Sequence, residues 1–351
     1  MYQAVQPLPS GALDIVGDVH GEYAALHQLL RHLGYDEEGR HPDKRTLVFV
    51  GDLCDRGPDS PAVLRWVQRA CEAGYARMVL GNHELNALVG LPKDGSGWLF
   101  AQREQKDGKL YAPWQRIPAA ESAELLDFLL SKPLILERED IRIVHAAWLD
   151  EAVAELARDT QTGLVERYRQ CDEAVLAGLA GTAEYAEYLR EQACYGEAAE
   201  NPEQMPPPLP ATAYYDLQQS LRHPFRALTS GPERMIAQPF YAGGRWRFTG
   251  RAAWWNDYTD DIPVVVGHYW RNWYPKPANQ TRENLFREAG VCWLGPKKNV
   301  FCIDFSIGAR WRDRKAQPPV SPEHSVFRLA ALRWPERTLV FDDGTQEQTQ
   351  D

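Results

Sequence analysis

Near the start of the chain a short apolar run gives way three times to a polar, glycine-marked loop and then to apolar positions at helical spacing. Leu13 to Val16 runs into GDVHG, after which Leu26, Leu29, Leu30 and Leu33 follow the i, i+3, i+4, i+7 rule of one helix face until Gly34 closes it. Thr46 to Val50, rich in β-formers, leads into GDLCDRGPDS. Ser60, as a capping residue ahead of Pro61, then opens a helix with Leu64, Val67 and Cys71 on its buried face. Ala76 to Leu80, GNHE and LNALVG make the third cycle. Strands alternating with helices imply parallel pairing, in which functional groups gather beyond the carboxyl ends of the strands.

Farther along, LILERED and IRIVHAAW predict a hairpin whose second strand ends at His145, and IPVVVGHYW predicts a buried strand ending at His268. NVFCIDFSIG and the pair SVFRLAALRW and ERTLVF, joined by a Trp-Pro-Glu turn, predict late strands. Between them, residues 149–212 are acidic, alanine-rich and helical in character, and their end, NPEQMPPPLP, is too proline-rich for regular structure. The expected organisation is one domain over residues 11–345, with 149–212 inserted in it as helices and 346–351 as a polar tail.

The polar loops offer ligands for cations. Asp18 and His20 are two apart on chain leaving a strand, so extended backbone would point them the same way. Asp52, Asn82, His145 and His268 each stand at the end of a further strand, and carboxylate, amide and imidazole together suit Mn, Fe or Zn. Gly17, Gly51, Gly81 and Gly267 each immediately precede one of these residues and permit sharp turns and close approach.

GDVHG, GDLCDRG, GNHE, a strand-terminal His and a final GH resemble the signature of the calcineurin-like metallophosphoesterases. The closest resemblance is to their phosphoprotein-phosphatase branch, with its bacterial diadenosine tetraphosphatases and serine/threonine phosphatases. The resemblance spans residues 14–268 and, with CIDFSIG, reaches about 308. It implies an α/β fold, a β-sandwich flanked by helices on both sides, with a dinuclear site at one sandwich edge. Carried onto this chain, it makes Asp18 and His20 ligands of one metal, Asp52 the bridging carboxylate, and Asn82, His145 and His268 ligands of the second. The implied cofactors are two divalent ions, manganese foremost, with Fe, Zn, Ni or Co as alternatives. They would hold a bridging hydroxide in line with phosphorus.

His83 is then the candidate acid for the leaving oxygen, oriented by Asp55. Arg56 is the candidate phosphate fork, with Asn82 beside it. The stretch GGRWRFTGRAAWW offers Arg245, Arg247 and Arg251 as a second phosphate-binding arginine without a motif to choose between them, and the choice made here is Arg251. The sequence departs from the family at His145-Ala146-Ala147-Trp148, where a glycine commonly follows the His. It departs again at GHYW, where diadenosine tetraphosphatases often carry GHTP. Both changes bear on the pocket wall and leave the ligands intact.

Composition narrows the partners. A net charge of −10 argues against broad binding of a nucleic-acid backbone, and Trp270 stands where exonuclease-type members carry the second His of GHxH, which disfavours a nuclease. The expected substrate is a phosphorylated small molecule, nucleotide, dinucleoside polyphosphate or phosphoprotein, with a catalytically silent phosphate-recognition module as the alternative. The N-terminus lacks a basic start followed by an apolar stretch, nowhere do eighteen apolar residues run together, and a cytoplasmic enzyme without membrane partners is expected. The six cysteines lie far apart with no C-x-x-C pair, so free, mostly buried thiols are expected. Trp98, Trp114, Trp148, Trp254, Trp255, Trp270 and Trp273 either stack a nucleobase or pack the insertion onto the core.

Overall fold

The computed structural model describes residues 2–273 and 285–351. It opens with β1 (Val5–Pro7), β2 (Leu13–Val16), α1 (Tyr23–Leu33), β3 (Thr46–Phe49), α2 (Ser60–Glu72), β4 (Ala76–Met78) and α3 (Asn82–Leu88). Next come α4 (Glu104–Leu110), α5 (Ala119–Leu130), the hairpin of β5 (Ile135–Arg138) and β6 (Ile141–Val144), and then α6 (Asp150–Arg158), α7 (Leu164–Leu179), α8 (Ala183–Ala199), α9 (Pro210–Arg222) and α10 (Pro224–Ser230). A second hairpin, β7 (Glu233–Ala242) with β8 (Arg245–Arg251), precedes β9 (Val264–Val266), β10 (Val300–Cys302), α11 (Trp311–Lys315), β11 (Ala330–Trp334), β12 (Thr338–Phe341) and β13 (Gln346–Gln348).

Among the described residues, β13-β12-β11-β2-β3-β4 form one sheet and β1-β5-β6-β9-β10 another, while β7 and β8 pair by themselves. Strand alternation decides how the sheets meet. Val48 and Val50 of the β3 segment, with Leu13 and Ile15, share a buried cluster with Leu136, Ile141, Ile143, Val265 and Phe301 of the other sheet. The neighbouring positions Leu47 and Phe49 face helices α1 and α2 through Leu26, Leu29, Leu64 and Val67. Two sheets therefore pack face to face, and their central strands are buried on both faces, as parallel strands require. On the far side, α6 and α10 cover the second sheet with Leu156, Phe225 and Leu228. The α/β fold is the expected one. β2, β3 and β4 pair in parallel, as do β6, β9 and β10, so the loops that leave them open at one edge of the sandwich.

Several local expectations change. Asp59, not Ser60, caps α2, accepting from the Ala62 amide at 2.9 Å, while the Ser60 hydroxyl accepts from the Asp55 amide. Helix continues past residue 212 through α9 and α10, and a hairpin follows that the sequence pattern does not announce. The polar end contributes β13, an exposed edge strand held by backbone bonds to β12. All six cysteines are free, but only Cys54 and Cys302 are buried. Cys194 is exposed on α8, because the insertion is thin and has little interior to offer.

Candidate metal centre

The loops after β2, β3, β4, β6 and β9 bring Asp18, His20, Asp52, His83, His145 and His268 into one buried cluster. Asp52 is its hub. Its Oδ2 lies 3.8 Å from His20 Nε2, 3.8 Å from His83 Nε2 and 3.3 Å from His145 Nε2, and its Oδ1 accepts from the His83 amide at 3.0 Å. His20 Nε2 is 3.9 Å from Asp18, and His268 Nδ1 is 2.9 Å from Asn82 Oδ1. Two groups of potential metal ligands result, His20-Asp52-His83 and Asp52-His145-His268, and they share Asp52.

The histidines are held in a definite tautomer from behind. His20 Nδ1 donates to the Cys54 carbonyl at 3.0 Å and His145 Nδ1 donates to the Val50 carbonyl at 2.8 Å, which leaves both Nε2 lone pairs facing the carboxylates. His145 Nε2 is buried without a hydrogen-bond partner, and a buried nitrogen in that condition is costly unless something binds it. The backbone is strained in the same place. Among the described residues, most non-glycine residues with positive φ stand in these loops, His20, Asp52, Asp55, Arg56, His268 and Trp270, and Ser306 follows in the loop after β10. This corrects the expectation of extended chain between Asp18 and His20: His20 turns at φ 47°, and the two side chains meet through that bend.

Two glycines explain how the strand tips come so close. A Cβ on Gly81 would overlap the Asp52 carboxylate, and one on Gly267 would overlap that of Asp18. Gly267 hands its successor's amide to Asp18, for His268 N donates to both Asp18 oxygens at 3.2 and 3.1 Å.

The electrostatics favour cations. Burial pushes the Asp18 carboxyl well above the usual range, and the nearby charges of Asp304 and Asp52 add to it. Burial also works against Asp52, yet His145, His83 and His20 together hold its pKa well below the carboxylate range. Burial, then the positive charges of Arg56 and His83, keep His20 neutral. Burial opposes a charged His145, but Asp52 and then Asp18 raise its pKa to about 10, so without a metal the carboxylates hold a proton there; carboxylates and imidazoles gathered in this way form a donor set that suits divalent transition ions.

Beside this cluster, His83 Nδ1 donates to Asp55 Oδ2 at 2.5 Å. Burial opposes the charged imidazole, but Asp52 and Asp55 outweigh it, despite Arg56, and raise the His83 pKa. Arg56 Nη1 donates to His20 Nε2 at 3.1 Å, and its guanidinium lies 5.0 Å from the Trp270 ring centre. Of the three arginines left open by the sequence, Arg251 is the one at the site: it lies 5.4 Å from the ring centre of Tyr269, and its positive charge is felt by His268. Arg245 is engaged by Asp216 at 2.7 Å.

Residues 12–160 match the model of the Calcineurin-like phosphoesterase family. The chain carries a calcineurin-like phosphoesterase domain. It is 34% identical over 164 residues to the symmetrical bis(5'-nucleosyl)-tetraphosphatase of Chromobacterium violaceum, a match that covers 45% of this chain and 53% of that one. It is 37% identical over 142 residues to the asymmetrical bis(5'-nucleosyl)-tetraphosphatase PrpE of Bacillus subtilis, covering 37% and 58%. The matches thus span about half the length of these curated relatives. Among solved structures, a cold-active protein-tyrosine phosphatase of a psychrophilic Shewanella aligns over 100% of this chain and 83% of its own, at 17% identity and a TM-score of 0.47.

Three residues around the site escape the motif reading. Glu84 is fully buried and its carboxylate accepts from the amides of Asp52 at 2.8 Å, Leu53 at 2.7 Å and Gly81 at 2.9 Å, stitching the second polar loop to the third. It stands within GNHE, and a carboxylate there could have been flagged. Asp304, from CIDFSIG, accepts from Trp270 N at 2.7 Å and Ser306 N at 2.8 Å, close enough to Asp18 to disturb it. Trp98 donates its indole N–H to Asp55 Oδ1 at 2.5 Å, so Asp55 is gripped between Trp98 and His83. Trp148, Trp254 and Trp255 are buried and packed into the main core cluster, as the packing reading expects.

Proposed function

We propose that the chain is a dinuclear-metal-dependent phosphoesterase that cleaves a phosphomonoester or phosphoanhydride bond. The observation that carries this reading is the pair of buried ligand groups joined through Asp52, His20-Asp52-His83 and Asp52-His145-His268, in which His83 is itself held from behind by Asp55. Asp18, His20 and Asp52 would hold one ion and Asp52, Asn82, His145 and His268 the other, with manganese the ion of first choice. When bound, such ions neutralise the phosphoryl oxygens and acidify a water for attack on phosphorus.

The remaining work falls to side chains of the chain itself. Arg56 presents a guanidinium fork to the non-bridging oxygens, kept in place by Trp270, and Arg251, over Tyr269 and near His268, supplies a second positive charge. His83 carries its Nδ1 proton to Asp55 and leaves Nε2 to protonate the departing oxygen, a role that its raised pKa favours near neutrality. The substrate class includes dinucleoside polyphosphates, nucleotides and phosphoproteins, and the names of the relatives support the first of these.

The reading is tested by turnover of p-nitrophenyl phosphate, diadenosine tetraphosphate and a phosphopeptide by the manganese-loaded chain. Hydrolysis that a chelator abolishes and added metal restores is expected. Absence of cleavage across that panel, with metal bound, would leave the silent recognition module as the better account.

A further inference from the structure

An acidic protein gathers an unusual row of cations beside this site. In β8 successive side chains alternate between faces, so Arg245, Arg247, Thr249 and Arg251 share one, and a rise of about 3.3 Å per residue spreads the arginines over roughly 20 Å. Arg251 stands at the inner end, over Tyr269 and within the electrostatic reach of Arg56 and Asp304. Arg245 stands at the outer end, tied to Asp216 of α9. Lys93, in the loop before Asp94, is near enough to feel the charges of Arg226, Arg247 and Arg245, and the Asp94 carboxylate reaches back toward Arg56 at 3.9 Å.

Two of the three carboxylates near this row are paired with other arginines, and Glu233 alone faces Arg247 and Arg251. Asp216 holds Arg245, Asp172 holds Arg226 at 3.0 Å, and Glu233 accepts the Thr249 hydroxyl. Among the described residues, Arg247, Arg251 and Lys93 make no ion pair, and Arg247 donates only a long 3.3 Å bond to the Ala242 carbonyl. Burial first, then the positive charges of Arg226, Arg247 and Arg245, lowers the pKa of Lys93, and burial, then Arg245, lowers that of Arg247, with Asp216 and, for Arg247, Glu233 offsetting only part of it. Mutual repulsion of this kind is relieved by a bound anion.

We infer that Arg251, Arg247 and Lys93 form an extended anion subsite that holds the phosphates of a linear polyphosphate beyond the one under attack. This rests on the phosphoesterase reading for the attacked phosphate, but not for the binding of the rest of the chain. A monoester would reach only Arg56 and Arg251, and a polyphosphate would engage the whole row. The subsite thus selects substrates by the number of linked phosphates.

The test compares inorganic tripolyphosphate with p-nitrophenyl phosphate in the manganese-loaded chain and in Lys93→Gln and Arg247→Gln. The ratio of the two kcat/KM values should fall by about tenfold in each variant, the scale of one charge-assisted hydrogen bond, and mainly through KM for tripolyphosphate. Calorimetric titration of the full-length chain with tripolyphosphate and with orthophosphate, without divalent ions, reads the subsite independently of turnover. Weaker tripolyphosphate binding in both variants, with orthophosphate unmoved, supports the subsite even if the chain hydrolyses nothing. Tripolyphosphate affinity unchanged in the exposed-loop variant Lys93→Gln and in Arg247→Gln overturns it. So does Arg247-dependent binding of a multiply phosphorylated peptide more tightly than tripolyphosphate.

Discussion

Asp52 has three imidazole nitrogens around one oxygen and an amide on the other, so its carboxylate is the single group whose loss unmakes both ligand sets. Asp52→Asn should therefore remove most metal-dependent turnover of p-nitrophenyl phosphate while circular dichroism stays native. His83→Asn should lower kcat by about 100-fold or more, the scale of lost general acid catalysis. Trp98 gives a finer test. Trp98→Phe keeps the ring and deletes the N–H that grips Asp55, so kcat should fall by about tenfold with KM little changed. The loss should be larger for phenyl phosphate, whose leaving group needs a proton, than for p-nitrophenyl phosphate. Equal losses on both would show that Trp98 only packs. The sequence makes Asp18, Asp52, Asn82 and His268 legible because each follows a glycine at a strand tip. Trp98 acts through a hydrogen bond across 43 residues, which no local pattern encodes.

At the scale of elements, the turn from β4 into α3 is where close approach decides stability. Gly81→Ala would drive a methyl group into Asp52, and overpacking of this kind costs about 1–3 kcal/mol, read as a lower Tm together with weaker metal retention. α10 supplies a pH prediction. His223 is fully buried at its start, and burial first, then Arg226, pushes its pKa down to about 3. The unfolded chain, with a histidine near pKa 6.5, then binds a proton that the folded chain refuses, so stability is intact above that pH and falls as pH drops toward 3, by up to about 1.4 kcal/mol per unit. His223→Leu should lose stability less steeply than the parent between pH 6 and pH 4 in urea titrations; parallel curves would contradict this. Helical spacing and strand-loop-helix recurrence revealed α1, α2 and the early strands. The β7 and β8 hairpin stayed hidden because β7, largely half-exposed or exposed, lacks the apolar alternation that marks a sheet face, and the alternation of Trp246 and Phe248 with arginines in β8 is too short to stand alone.

At the scale of the whole molecule, two sheets and the loops between them act as one frame: strands that are far apart in sequence end at one edge, and their polar tips meet there. The net charge of −10 disfavours broad binding of polyanions, and Arg56 and Arg251 stand at the edge where the strand tips meet. No described helix is long and apolar enough to cross a membrane. The α/β fold and the ligand cluster could be read from glycine-flanked strand tips, whereas the place of Arg251 depends on how the β7 and β8 hairpin, beyond residue 212, folds back on the site, and sequence spacing does not record that. The most direct test of the central claim is the metal content of the purified chain after manganese loading and desalting, measured by elemental analysis beside Asp52→Asn. Two ions per chain in the parent, and a clear loss in the variant, are predicted; a parent that retains no divalent ion under any loading condition would contradict the account.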